Sequence, residues 1–123
     1  MRAAPLMRFF RRGGKLLLWH GLDDSSTSPF GTIDYYDSAV KASGGSNVRL
    51  FALPGVYHCL GSPGADTFDP LAALEAWVEN GVEPNSMVAT NRAGGFERPV
   101  CAWPKLPYYR SGDPARASSF VCR

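Results

Sequence analysis

Two short apolar runs, "KLLLWH" at residues 15–20 and "VRLFALP" at 48–54, constrain this chain more than any other feature. Each is apolar at consecutive positions, as a strand must be when it is covered on both faces, and each is too short for an ordinary helix. Between them Phe30, Ile33, Tyr36 and Val40 recur at helical spacing from Pro29 to Ser43, and "SGGSN" at 43–47 breaks the run. Beyond the second strand, "DPLAALEAWVENG" at 69–81 predicts a helix: Asp69 stands at the N-cap, Pro70 at the first helical position and Gly81 at the stop. Its expected apolar face is Leu71, Leu74, Trp77 and Val78, with Trp77 in the core. Strand, helix, strand, helix with doubly covered strands predicts an α/β fold of parallel strands and crossover helices. Two strands do not make a stable sheet alone, so further neighbours are expected.

The rest of the composition narrows the function classes. The 123 residues suit one small domain. Thirteen basic residues against eleven acidic ones leave a net charge of +2, and basic residues cluster only at Arg8, Arg11, Arg12 and Lys15. Nucleic acid is therefore not an expected partner. No apolar run approaches the roughly 20 residues of a membrane helix, so no membrane partner is expected either. The opening "MRAAPLMRFFRRGG" lacks the run of about 7–15 apolar residues that a signal peptide needs, and residues 1–12 are expected to form a poorly defined segment.

Three cysteines are present. Cys101 and Cys122 bracket a proline- and tyrosine-rich tail with little periodicity, "CAWPKLPYYRSGDPARASSFVC", which can bury little surface of its own. A disulfide closing that loop is the natural staple, contributing about 3 kcal/mol in the chain-entropy account; the alternative is two free thiols. A bridge there implies an oxidising compartment and leaves Cys59 with its partner outside this chain. Tyr108 and Tyr109 are expected to pack the tail onto the body.

The turn after the first strand, "WHGLDDSSTSPF", carries two carboxylates, Asp23 and Asp24, and four hydroxyl residues where a strand-to-helix connection needs one cap. In open parallel sheets reactive groups gather at the carboxyl ends of strands. His58 follows the second strand, so the topology predicts that it meets this turn, a carboxylate orienting a general base. The plain alternatives are that Asp24 caps the following helix and that His58 is a loop histidine. His20, at a strand end, reads as structural. His20, His58 and Cys59 lack the close-paired spacing of a metal site, and the reading calls for no metal and no cofactor.

Taken together, "GGKLLLWHGLDDSSTSPFGTIDYY", "VRLFALPGVYHCLGSPGADTFDPLAALEAWVENGVEP" and the two-cysteine tail resemble the C-terminal part of the tannase and feruloyl esterase family. The similarity runs from about Gly13 to Arg123, and the His58-Cys59 pair, "DTFDPLAALEAWVE" and the terminal "RPVC…FVC" are its most specific elements. The resemblance implies the C-terminal portion of an α/β-hydrolase over 13–91, closed by a disulfide-stapled irregular tail over 92–123. It implies serine ester hydrolysis in which Asp24, matched to the family's HG-x-x-D, is the triad acid and His58 the general base, in the chain order of that fold. It also implies that Cys59 pairs with a cysteine immediately before the nucleophilic serine, clamping serine and histidine together. Ser25, Ser26 and Ser28 stand where relatives generally carry prolines.

No cysteine here is followed by serine, and no G-x-S-x-G elbow occurs. "GGSNV" around Ser46 lies before a strand rather than after one. Ser62 is followed by Pro63, which has no N–H to offer an oxyanion. The expected protein is thus a fragment of a secreted or periplasmic esterase for phenolic (hydroxycinnamoyl or galloyl) esters, inactive alone. The alternative is a small secreted binding or regulatory protein derived from such an esterase.

Overall fold

The computed structural model describes residues 6–123. A short helix α1 (Met7–Arg11) precedes strand β1 (Leu16–Gly21), helix α2 (Pro29–Ser43), strand β2 (Val48–Leu53) and helix α3 (Pro70–Asn80). Strands β3 (Ser86–Asn91), β4 (Phe96–Cys101), β5 (Pro107–Tyr109) and β6 (Phe120–Cys122) follow, with a 3₁₀ turn at Ala117–Ser119 between the last two. Residues 1–5 of the expected N-terminal segment lie outside the described residues, and the remainder of that segment is helical rather than undefined, with Phe10 buried.

β1 and β2 pair in parallel, from Leu16 opposite Val48 to Gly21 opposite Leu53, with α2 as the connection. The alternation of the strands decides what covers each face. Val48, Leu16 and Leu18 face one way and pack with Phe10 of α1 and Ala39, Tyr35 and Tyr36 of α2. Phe51, Leu53 and Leu17 face the other way and pack with Val56, Ala65, Ala89 and Val100. α3 lies on this second side, where Trp77 is buried with Lys15 and Arg49 stacked over its ring. Both helices start and stop where local chemistry dictates. Pro29 and Pro70 occupy first positions, Ser28 and Asp69 cap, and Gly44 and Gly81 close.

The far edge of β2 is covered by the chain after β4: Phe51 bridges Ala102, and Trp103 N–H donates to the Leu50 carbonyl at 2.7 Å. β2 is accordingly buried along most of its length, whereas Trp19 of β1 is 52% exposed and packs edge-on with Phe68.

The tail is not irregular, which corrects the expectation from its weak periodicity. β3 and β4 form an antiparallel hairpin that straddles the expected boundary at residue 92, and β5 pairs with β6. Proline inside β4 (Pro99) and at the head of β5 (Pro107), both inimical to central strands, hides these segments from a pattern reading. Cys101 and Cys122 are joined, tying β4 to β6. Tyr109 packs edge-on against Phe120 and Tyr108 lies beneath Arg123, so these tyrosines stabilise the tail itself rather than its junction with the body. The apolar face expected for α3 is corrected too: Leu71 and Val78 are exposed, and Phe30 at the start of α2 is 72% exposed.

Candidate active site

β1 and β2 end side by side, and their exits are stitched together. Leu22 N–H donates to the Leu53 carbonyl at 2.9 Å, and Asp23 N–H to the Val56 carbonyl at 3.0 Å. Gly21 makes this approach possible, because any Cβ there would collide with the carbonyls of Val56 and Tyr57. The chain that leaves β2 therefore passes directly over the end of β1 and delivers His58 to the Asp24 turn.

Asp24 receives four hydrogen bonds, as many as a carboxylate has lone-pair sites. Oδ1 accepts the amides of Ser26 at 2.8 Å and Thr27 at 2.9 Å. Oδ2 accepts His58 Nδ1 at 2.9 Å and His20 Nε2 at 3.0 Å. The side chain is 3% exposed. The His58 hydrogen bond, then the Thr27 amide, hold its pKa far below the usual carboxylate range, against the upward push of burial. Asp24 is an anion. It does not cap α2; Ser28 does, its Oγ accepting Phe30 N–H at 3.3 Å. Asp23 is exposed and stands apart. The hydroxyl-rich turn thus does two jobs: the amides of Ser26 and Thr27 hold the carboxylate, and Ser28 starts the helix.

His58 is 56% exposed. Since Asp24 can only accept, Nδ1 carries a proton, and in the neutral ring Nε2 presents a lone pair. The loop bearing His58 is held from two sides. Asp66 Oδ2 accepts the amides of Gly61 at 2.8 Å and Ser62 at 3.2 Å, and Oδ1 accepts the Thr67 hydroxyl at 3.0 Å. Burial raises the Asp66 pKa, and these donors outweigh it, leaving a net lowering. From β3, Asn91 Nδ2 donates to the carbonyls of Ser62, Pro63 and Gly64 at 3.1, 3.3 and 2.8 Å.

Neither serine weighed as a nucleophile is placed for it. Ser62 is buried and its hydroxyl donates to Asp66 at 3.2 Å. Ser46 precedes Val48, at the end of β2 remote from His58. Cys59 is exposed with a free thiol. Both nitrogens of His20 are engaged, Nδ1 with Thr32 and Nε2 with Asp24 and Thr27, so its ring is closed to a ligand. Sequence reasoning treats His20 as structural and passes over Thr32, Asp66 and Asn91. Only His20 leaves a signal, its spacing of four from Asp24 across a tight turn.

The sequence model of the family described as tannase and feruloyl esterase matches residues 2–123. The chain is 40% identical to the mono(2-hydroxyethyl) terephthalate hydrolase of Piscinibacter sakaiensis over 98% of this chain and 21% of that protein. It is 43% identical to a probable feruloyl esterase of Arthroderma benhamiae over 91% of this chain and 23% of the relative. The crystal structure of feruloyl esterase B from Aspergillus oryzae superposes with a TM-score of 0.85 at 25% identity, over 96% of this chain and 28% of that one. The chain thus spans between a fifth and under a third of the length of these relatives. With the family model matching nearly the whole chain and relatives at 40% identity or more, this chain belongs to the tannase and feruloyl esterase family.

Proposed function

We propose that this chain supplies the acid and base of a serine carboxylic ester hydrolase acting on phenolic acid esters of the hydroxycinnamoyl or galloyl type. One observation carries the reading: Asp24 Oδ2 lies 2.9 Å from His58 Nδ1 at the carboxyl ends of two adjacent parallel strands. Family membership supplies the reaction class.

In this scheme His58 Nε2 takes the proton of a serine hydroxyl as the serine oxygen bonds to the ester carbonyl carbon. The imidazolium that forms is stabilised by Asp24, which keeps its charge. Collapse of the tetrahedral adduct breaks the bond to the alcohol oxygen, and His58 returns its proton to that leaving group. Water then gives a proton to His58 and its oxygen to the acyl carbon; the bond from that carbon to the serine oxygen breaks, and His58 returns the proton to the serine as the phenolic acid leaves. The serine and its oxyanion donors belong to the portion of the family that these residues do not span. Cys59, free and next to His58, is read as the partner of a cysteine preceding that serine. Residues 13–91 are read as the C-terminal part of the hydrolase domain and 92–123 as its closing tail. The disulfide favours a secreted or periplasmic setting.

The test is a chimera in which this chain replaces the aligned segment of an active relative. It is expected to hydrolyse methyl ferulate or methyl gallate, and His58→Ala is expected to abolish turnover while the protein remains folded. Full turnover in the His58→Ala chimera overturns the assignment, and a folded chimera that never turns over favours a non-catalytic binding role.

A further inference from the structure

His20 is an ionisable ring beside the site to which the scheme above gives no task. Its side chain is 12% exposed. Nε2 lies 3.0 Å from Asp24 Oδ2 and 3.0 Å from the Thr27 carbonyl oxygen, both of which only accept, so Nε2 carries the proton. Nδ1 meets the Thr32 hydroxyl at 2.7 Å, and the two contacts together fix the orientation of the ring. Thr27 closes the circuit, because its N–H donates to Asp24 Oδ1 while its carbonyl receives His20. Ring, turn and carboxylate hold one another.

The consequence lies in the second carboxylate oxygen. Torsion about the carboxylate bond is broad and soft in itself. Two backbone amides hold Oδ1, but Oδ2 has two lone pairs and only one of them serves His58. His20 occupies the other, which would otherwise draw water or let the oxygen turn off the line to His58.

We infer that His20 is a positioning residue: oriented by Thr32 and anchored on the Thr27 carbonyl, it holds Asp24 Oδ2 in line with His58 Nδ1. This rests on the reading of Asp24 and His58 as acid and base. A histidine that merely tied the turn together would be needed for folding but not for the protonation pattern of His58.

The experiment reads that pattern directly. Nitrogen NMR of the imidazoles in this chain is expected to show His58 as the Nδ1–H tautomer. In His20→Ala the preference is expected to be lost, while His20→Gln, whose amide N–H reaches the same oxygen, retains it. Thr32→Val is expected to weaken it by freeing the His20 ring, and it becomes the deciding variant if His20→Ala loses the amide pattern of β1 and β2. In the chimera, kcat is expected to fall roughly 10- to 100-fold in His20→Ala, the scale of an orientation error. KM is expected to change less than about twofold, because the lost contact acts in the transition state. His20→Gln is expected to recover most of the rate. An unchanged His58 tautomer in folded His20→Ala overturns the inference, as does a His20→Gln variant no better than His20→Ala. A folded wild-type chimera without esterase activity overturns the acid–base reading instead, and the tautomer measurement still decides whether His20 holds the carboxylate.

Discussion

The side chain of Asn91, on β3, donates to the Gly64 carbonyl at 2.8 Å across 27 residues of sequence. That contact ties the C-terminal hairpin to the loop that presents His58, and gives the disulfide-linked tail a bearing on the site. Asn91→Ala leaves the carbonyls of Ser62, Pro63 and Gly64 without this donor. Of these only the Ser62 contact is fully buried, so a loss of roughly 1 kcal/mol is expected, toward the low end of the cost of unsatisfied acceptors. Faster amide exchange confined to residues 61–65 and to the β3–β4 turn would check it; uniform exchange across the chain would show that Asn91 has no local hold.

Gly21 is the point of closest approach between the two strand exits. Gly21→Ala forces its methyl group against the carbonyls of Val56 and Tyr57, which are backbone and cannot swing aside. Overpacking of this kind costs roughly 1–3 kcal/mol. In the chimera the His58 loop is expected to lift, so that kcat falls more than stability alone explains. A Gly21→Ala protein with wild-type turnover would show that the approach is not needed.

Asp24 sets an acid limit. Its folded pKa is depressed below its unfolded value, so its contribution is fully present above about pH 4, the ordinary Asp value. That contribution is lost as pH falls through the folded pKa. The amide resonances of Ser26 and Thr27, which donate to Oδ1, are expected to stay constant through pH 4 and to shift only in stronger acid. A midpoint at or above the ordinary carboxylate value counts against the hydrogen-bonded carboxylate. Asp24→Asn is expected to abolish the transition and, in the chimera, to lower kcat by roughly 10⁴-fold, the scale seen when a triad acid is neutralised.

The thiols divide cleanly. Cys59 is exposed and free, whereas Cys101 and Cys122 are bonded. Alkylation without reductant is expected to modify one cysteine per chain, and all three after reduction and unfolding. Peptide mapping that finds Cys59 joined to Cys101 or Cys122 would overturn the pairing and, with it, the clamp proposed for Cys59.

Trp19, Phe30, Leu60, Leu71 and Val78 are each more than half exposed. Exposed apolar surface on this scale marks a contact site or an aggregation liability. The chain by itself is expected to bind an apolar dye, and the chimera, where the rest of the hydrolase covers β1 and the helices, to bind much less. Equal dye binding by the two would show that these side chains remain open in the assembled protein.

β1, α2, β2 and α3 are legible in the sequence because their signals are local: prolines at first turns, capping side chains, glycine stops and unbroken apolar runs of strand length. The pairing of Asp24 with His58 is legible for a topological reason, since parallel strands place their carboxyl ends together. The choice of Asp24 over Asp23 comes from family resemblance; in the fold it is Asp24 that meets His58, while Asp23 is exposed. The strands of the tail are not legible. They are short, interrupted by Pro99 and headed by Pro107, and they exist because β4 finds β3, β6 finds β5, and Trp103 finds the open edge of β2. Nor does the sequence alone assign His20. A ring four residues from a carboxylate has many places to point, and only the closure of the turn by Thr27 and Thr32 aims it at Oδ2. Elements held by neighbours in sequence are determined by the sequence itself; those held by partners tens of residues away are decided by tertiary packing, because no local preference records which distant group will satisfy them.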